Sequence, residues 1–588
     1  MKSSKSIIDG YLFKKDWRVK ENSNSLYSFG GLNKYTTAEV DKDYWLREVY
    51  PEEISSAYVD GHIHIHDLGG LTLYCCGYSL KDILLKGVVG IGNIPRSKPA
   101  KHLDSVLNQI ANLTTIFQNE IMGAIAFNGF DTLLAPFIKV DKLSYEEVKQ
   151  CIQNYVFSIN SNSRAGAEPA FSNVTFDLTP PEDMLNQYAI VGGELVSFTY
   201  GSCQQEMDML NKAFFETMLE GDADGKLFSY PIPTYNIHKR FDWDNPNNKL
   251  LWELAGKYGT PYFTNFINSK LDIKDVRSMC CRLRLDLSEL RHRNGGLFGS
   301  GDSTGSIGVV TINLPRIAYE SKGNKEMFFT MLDKYLEISK NSLEIKREWL
   351  QKNVIETKLI PAYIEYVGTL NNHFSTIGIV GMNEMCENFM GKNILDEDAH
   401  AFCLEVGNHI RKKLLDFQNE TGHLFNYEAT PAESTCYRLA LIDKKTYPDI
   451  ITQGHGGEDC YYTNSCHIPV KYIESIDKTF AHQNDLQVQF TGGTVIHCYL
   501  EGAISGEQAK AIIKAMFNKY SVPYMSLSPI SRYCDTHGYV KEITDRCPIC
   551  KSKLKKYQRI TGYLRCIDNY NRGKAAEFDD RVQLSGQI

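Results

Sequence analysis

The stretch GVVTINL, Gly308–Leu314, sets the terms for the fold. It is a β-branched, apolar run that opens on glycine and stops at Pro315, the composition of a buried strand. Runs of the same kind recur as HIHIHDL (62–68), FSNVTFDL (171–178), PIPTYNI (231–237), PYFTNF (261–266), TIGIVG (376–381) and TVIHCYL (494–500). Between them, at 101–125, 143–160, 204–220, 325–352 and 396–419, apolar residues return every three or four positions, the spacing of one helix face. Strand and helix alternating from about residue 51 to 525 predicts an α/β barrel or a large doubly wound sheet.

The 588 residues are 43% hydrophobic and 23% charged, ordinary values for a folded globular chain with a large core. A net charge of -7 argues against general nucleic-acid binding. No charged-then-apolar leader opens the sequence, and the most apolar stretch, Met122–Val140, is interrupted by Asn128 and Asp131. The sixteen cysteines follow no secreted disulfide framework. Two adjacent pairs, Cys75-Cys76 and Cys280-Cys281, read as thiols kept for packing, chemistry or metal, and a reducing cytoplasm is the expected setting.

After Pro529 the composition changes. Cys534-x-x-His537 and Cys547-x-x-Cys550 form two ligand pairs separated by nine residues. Four N/S ligands suit tetrahedral zinc, and a full set leaves no open position, so the expected site is structural. Cys566 is an alternative to His537 as the fourth ligand. A basic run, KSKLKKYQR, follows, and then RITGYL, Arg559–Leu564.

RITGYL placed after C-x-x-H-G-Y and C-P-x-C resembles the anaerobic (class III) ribonucleoside-triphosphate reductases, a glycyl-radical family. HIHDL, QNEIMGAIAFNGFDTLLAPF, PIPTYNI, GLFGSGDSTGSIGVVTINLPRI, NEMCENFMGKNI, FNYEATPAEST and TGGTVIHCYLEG also look like stretches of that family, in the family's order. The resemblance implies a ten-stranded α/β barrel of two five-stranded halves, with a central finger loop, a small zinc ribbon and a C-terminal radical loop. It implies anaerobic reduction of ribonucleoside triphosphates to 2′-deoxyribonucleoside triphosphates, supplying precursors for DNA replication.

It also implies roles. Gly562 is expected to hold the stored radical. A glycine Cα radical is planar and flanked by a donating nitrogen and a withdrawing carbonyl, and no side chain crowds it. Cys281, two residues after Met279, is the expected thiyl site that takes hydrogen from the ribose. Tyr74-Cys75-Cys76-Gly77-Tyr78 favours Cys75 as the reducing thiol, with Cys76 left open because strand neighbours face opposite ways. Met279 favours formate as electron donor, a thioredoxin-like or glutaredoxin-like protein being the alternative. Glu433 is a candidate base at the ribose 3′-OH, or else a helix-opening carboxylate. Asn313 is a candidate substrate hydrogen-bonder, with Asp302 and Ser303 weaker ones. His64 and His66 are expected near formate or substrate, and Gly305, Ser306, Ile307, Gly308, Thr430 and Ser434 near the triphosphate.

The expected organisation is an extended N-terminal arm over 1–50 and a catalytic barrel over 51–528. A zinc module over 529–556 follows, then the radical loop and tail over 557–588. HIHIHDL begins at residue 62, which leaves no room for a complete ATP-cone. Effector control by ATP or dNTP is expected at a homodimer interface near the helices of 100–160. The expected partner is a radical-S-adenosylmethionine activase with an iron–sulfur cluster.

Overall fold

The computed structural model describes residues 3–21, 27–91, 95–161, 169–268, 303–560, 562 and 564–586. Ten strands build the central sheet: β1 (Cys75–Tyr78), β2 (Ile125–Phe127), β3 (Ser172–Phe176), β4 (Ile232–His238), β5 (Tyr262–Phe266), β6 (Gly305–Asn313), β7 (His373–Val380), β8 (Leu424–Glu428), β9 (Ile496–Leu500) and β10 (Tyr524–Pro529). Their order is β8-β7-β6-β1-β2-β3-β4-β5-β10-β9, and the short strand Ile63–Ile65 also pairs with β6. A parallel bridge from Glu428 to Gly492, with Ala429 N–H to Gly492 O at 2.9 Å, joins β8 to the segment entering β9 and closes the ring.

Strands β1–β5 run parallel to one another, and so do β6–β8 and the pair β9–β10. The halves meet antiparallel at two seams, Cys75 opposite Ser306 and Tyr524 opposite Thr264. This is the barrel of two five-stranded halves that the family resemblance implied. At the first seam a Cβ on Gly305 would lie 2.4 Å from the Cys75 carbonyl and 2.3 Å from His373 Nε2, so only glycine lets the two halves approach.

Alternation along the strands separates an apolar outside from a polar inside. Cys76, Tyr78, Ile125, Phe127, Val174, Phe176, Cys498 and Leu527 join one apolar cluster with helices such as Leu103–Gln118, Tyr145–Ile159, Gln204–Glu220 and Gly506–Lys519. Val310, Ile312, Ile377, Ile379, Phe425 and Tyr427 join a second cluster with Lys325–Leu350 and Glu397–Thr421. The alternate positions are polar and bonded across strands. Ser306 Oγ lies 2.8 Å from Thr376 Oγ1, which donates to Asn426 Oδ1 at 2.7 Å.

Two expectations change. The N-terminal segment is helical, with Ser4–Leu12 capped by Ser3 and Phe29–Tyr44 capped by Ser28, and Trp17 packs edge-on against Tyr437. Its serine caps offset the polar composition that read as extended. The boundary at 556/557 falls inside the strand Lys555–Arg559, because metal module and glycine loop share one sheet, Gly538–Val540, Ser531–Cys534, Lys555–Arg559 and Leu564–Cys566 in spatial order. Among the described residues no helix is long and apolar enough to cross a membrane.

Candidate active site and metal site

Gly562 lies where the chain turns between Lys555–Arg559 and Leu564–Cys566, whose last pair is Arg559 opposite Leu564. The hairpin docks on the barrel. Gln558 Nε2 donates to Ser528 O at 2.9 Å, and Arg559 Nη2 donates to the carbonyls of Gly259 and Thr260, the latter at 2.9 Å. The guanidinium also stacks 4.0 Å above the Tyr262 ring. These contacts bury Gly562 against the entrance of β5.

Both peptide groups of the glycine are bonded. Its N–H donates to Glu433 Oε1 at 3.1 Å. Its carbonyl accepts from Arg559 Nη1 at 3.2 Å and from the Tyr262 hydroxyl, and Arg559 Nη1 donates to that hydroxyl at 2.5 Å. Glu433 opens the helix Glu433–Thr446, whose N-cap, Ala432, offers no side-chain cap. The carboxylate therefore turns to Gly562 and stands 3.9 Å from Arg565 Nη1. Behind the hairpin, Arg581 donates to the carbonyls of Arg559 at 2.8 Å and Ile560 at 2.6 Å. Glu577 holds Arg581 at 2.8 Å and pairs with buried Lys574.

The two thiols of β1 part company. Cys76 sits in the outer apolar cluster with Tyr78, and burial pushes its thiol well above the ordinary range. Cys75, one residue earlier, points the other way, into the barrel, at the seam with Ser306. Met279 and Cys281, with Cys280 and Asp302, lie outside the described residues.

His66 Nε2 lies 2.8 Å from Thr311 Oγ1, and the His64 and His66 rings meet edge-on at 4.7 Å. Burial, then Lys346 and Arg438, depresses His66 to about 3. Burial, then His66, Arg438 and Lys42, holds His64 well below its usual value, so both rings are neutral near pH 7. Thr311 and Thr430 flank Gly378, where a Cβ would come within 2.5 Å of Thr430 Oγ1. This draws His66, Thr311 and Thr430 toward one end of β6–β8. Ser434 is half-buried beside Glu433, and Gly308 lies under Lys346.

Asn313 is otherwise engaged. Its Nδ2 donates to Gly61 O and to Asp443 Oδ2, both at 2.8 Å, and its Oδ1 caps the helix Leu314–Ser321. An amide spent on a cap and a buried carboxylate has a structural task, which corrects its assignment to the substrate. Sequence reasoning missed Tyr262, Arg581 and Arg565, and left Arg559 without a role. The period-2 pattern of PYFTNF puts Tyr262 on the face of Thr264, opposite Phe263 of the outer core, and that signal was available.

The metal-ligand atoms of Cys534, His537, Cys547 and Cys550 all lie within 4.8 Å of one another. Three of the edges measure 3.5–3.6 Å: Cys534 Sγ to His537 Nδ1, Cys547 Sγ to His537 Nδ1, and Cys534 Sγ to Cys550 Sγ. Those are the edges of a tetrahedron with metal–sulfur bonds of about 2.3 Å and metal–nitrogen bonds of about 2.0 Å. Cys566 pairs with Tyr557 in the strand and stands outside this group. A cavity of about 270 Å³ has Gly562, Arg559, Cys534 and Asp535 in its lining.

The comparisons agree with this architecture. The family model described as anaerobic ribonucleoside-triphosphate reductase matches residues 21–584. The chain is 24% identical to the anaerobic ribonucleoside-triphosphate reductase of Escherichia coli (strain K12), over 93% of this chain and 80% of that one. It is 23% identical to the enzyme of that name from Enterobacteria phage T4, over 96% and 97%. The anaerobic ribonucleotide reductase from Thermotoga maritima, solved in complex with dATP and CTP, superimposes with a TM-score of 0.76 at 22% identity, covering 97% of this chain and 94% of that one. With a closed two-half barrel and a buried glycine hairpin at its mouth, the chain belongs to the anaerobic ribonucleoside-triphosphate reductase family. It is an oxidoreductase of that kind.

Proposed function

We propose that Gly562 stores the radical that drives ribonucleoside-triphosphate reduction in this chain, and that Cys281 and Cys75 act on the ribose from opposite faces. The observation that carries the reading is the bonding of Gly562 itself, with its N–H on the Glu433 carboxylate and its carbonyl on Tyr262 and Arg559. A buried glycine with no side chain, held on both peptide groups, is suited to a planar Cα radical. The inward direction of Cys75 supports it over Cys76 as the reducing thiol.

In this reading a hydrogen atom passes from Cys281 to Gly562, and the thiyl then takes hydrogen from the ribose C3′. Glu433 accepts the 3′-OH proton as spin develops. Formate supplies the two electrons and leaves as carbon dioxide, Cys75 relays hydrogen to C2′ as the 2′-OH departs as water, and His64 and His66, both neutral, stand beside them. Thr430 and Ser434 offer N–H and hydroxyl groups to the triphosphate, whereas the Ser306 hydroxyl is spent on Thr376 and Gly308 faces Lys346 of the outer helix. Zinc on Cys534, His537, Cys547 and Cys550 would bind the start of the hairpin and take no part in the chemistry. A radical-S-adenosylmethionine activase makes the radical. A homodimer answers to ATP or dNTP, as the dATP in the Thermotoga maritima complex suggests for this chain.

Anaerobic electron paramagnetic resonance tests the core of it. Activated wild type should give a glycine doublet that Gly562→Ala lacks, and a doublet surviving that change would sink the assignment. Labelled formate should yield labelled carbon dioxide during CTP reduction; turnover without it would remove formate.

A further inference from the structure

We infer that Glu433, Tyr262 and Arg559 form a push–pull frame that sets how firmly Gly562 holds its radical. The inference rests on the proposed role of Gly562.

A Cα radical is stabilised when the adjacent nitrogen donates electron density and the adjacent carbonyl withdraws it. The surroundings of Gly562 act on each partner in the helpful direction. On the nitrogen side, Glu433 Oε1 accepts the N–H at 3.1 Å, and a carboxylate acceptor makes that nitrogen a better donor. On the carbonyl side, Arg559 Nη1 at 3.2 Å and the Tyr262 hydroxyl both donate to the oxygen, which makes the carbonyl a stronger acceptor.

The donors are themselves polarised and fixed. Arg559 Nη1 donates to the Tyr262 hydroxyl at 2.5 Å, which sharpens the phenol as a donor. The guanidinium is locked by the carbonyls of Gly259 and Thr260 and by the face of the Tyr262 ring. Arg559 and Gln558 are at most 3% exposed, so water does not dilute these interactions.

The quantity the frame controls is a hydrogen-atom exchange. The Gly562 radical takes a hydrogen atom from a thiol, so one C–H bond forms, one S–H bond breaks, and the spin moves to sulfur with no proton or electron left over. Stabilising the glycyl side biases this exchange toward storage. Tyr262 and Arg559 are positioning residues in this scheme, since they touch the radical residue and not the substrate.

The test uses activated full-length enzyme carrying [2-¹³C]glycine, under anaerobic conditions, with dithiothreitol at fixed concentration. Tyr262→Phe removes one hydroxyl and leaves the ring that Arg559 stacks on. The doublet of the variant should decay about two- to tenfold faster than that of wild type, the range one hydrogen bond is worth. Its ¹³Cα hyperfine coupling should rise, because less spin is drawn onto the carbonyl. Arg559→Lys, which keeps a cation but loses the fork, should shift both readouts the same way. A Tyr262→Phe enzyme with wild-type lifetime and coupling overturns the frame. So does one with a lower doublet yield but unchanged lifetime and coupling, since that is a folding effect alone. Absence of a doublet in activated wild type would instead bring down the role of Gly562 itself, and the frame with it.

Discussion

At one end of the strand Lys555–Arg559 stands a cluster of three sulfurs and an imidazole; at the other, three residues on, stands Gly562. The metal end has a small core of its own, Cys534, Val540, Cys547 and Leu554, and leaves His537 and Cys550 exposed. Among the described residues the glycine end has no separate core. Gln558, Arg559 and Ile560 are buried by the barrel, through Ser528, Tyr262 and the tail helix Arg572–Asp580. A patch with so few apolar residues cannot hold itself together without a cross-link. The glycine end needs none, because its order is borrowed from the barrel wall. Ion-held and wall-held order should respond to different insults.

The largest effect belongs on the wall side, at the inward one of the two thiols of β1. Cys75→Ser should lower CTP reduction on the order of 10⁴-fold or more, as expected when a reacting group is removed. Cys76→Ser should keep activity and lose about 1–3 kcal/mol of stability, the cost of a hydroxyl in an apolar cluster. Reversed outcomes in paired assays and urea titrations would exchange the two roles.

Next comes the ion. Chelation, or Cys547→Ser, should take bound zinc, read by plasma emission spectrometry, from about one equivalent per chain to under a tenth, since the ligand set closes only with all four members. The far-ultraviolet melting transition of the barrel should move little. A barrel that melts with the metal would erase the distinction between the ends.

A smaller effect is expected from the clamp behind the hairpin. Arg581→Met leaves Glu577 with Lys574 alone and frees two carbonyls, a loss of about 3–5 kcal/mol for breaking a buried pair. Limited proteolysis should then cut the tail several-fold faster while zinc content holds. Zinc loss in this variant would mean that the two ends depend on the same support.

The effect that shows only away from neutral pH is on acid stability. Burial, ahead of nearby cations, depresses His66 and His373 to about 3, against about 6.5 when unfolded. Between those values the unfolded chain binds more protons, so stability should be complete above pH 6.5 and fall as pH drops from there toward 3. His373→Asn should flatten that slope in denaturant titrations taken at several pH values; an unchanged slope would contradict the neutral assignment.

The sequence carried much of this, unevenly. Long runs with strong alternation, such as Ser172–Phe176 and Ile496–Leu500, were legible as strands because both their faces are constrained. Ile125–Phe127 was hidden, since three residues between the helices Leu103–Gln118 and Phe130–Asp141 are too few to show a period, and the whole stretch read as helix and core. Cys75–Tyr78 stood outside the strand runs for the same reason, although its two thiols were weighed as strand neighbours. Spacing marked the four metal ligands because a tetrahedron demands pairs on tight turns. Tyr262 and Arg581 could not be tied to Gly562 by spacing. One lies 300 residues from it in sequence, and contacts at that separation are set by topology.

The tail beyond Gly562 is sewn back onto what precedes it. Arg581 grips Arg559 and Ile560, Arg572 pairs with Asp459 and Glu458, and Leu584 is bonded to Tyr499 and Glu501. If oxygen adds to the proposed Gly562 radical and severs the backbone there, these contacts leave a split protein, two polypeptides in one particle. Damage of that kind would pass unseen on a sizing column and declare itself only when the chain is denatured. A nicked molecule would keep its barrel and its four-ligand cluster, and would still cover the surface that the proposed activase has to find.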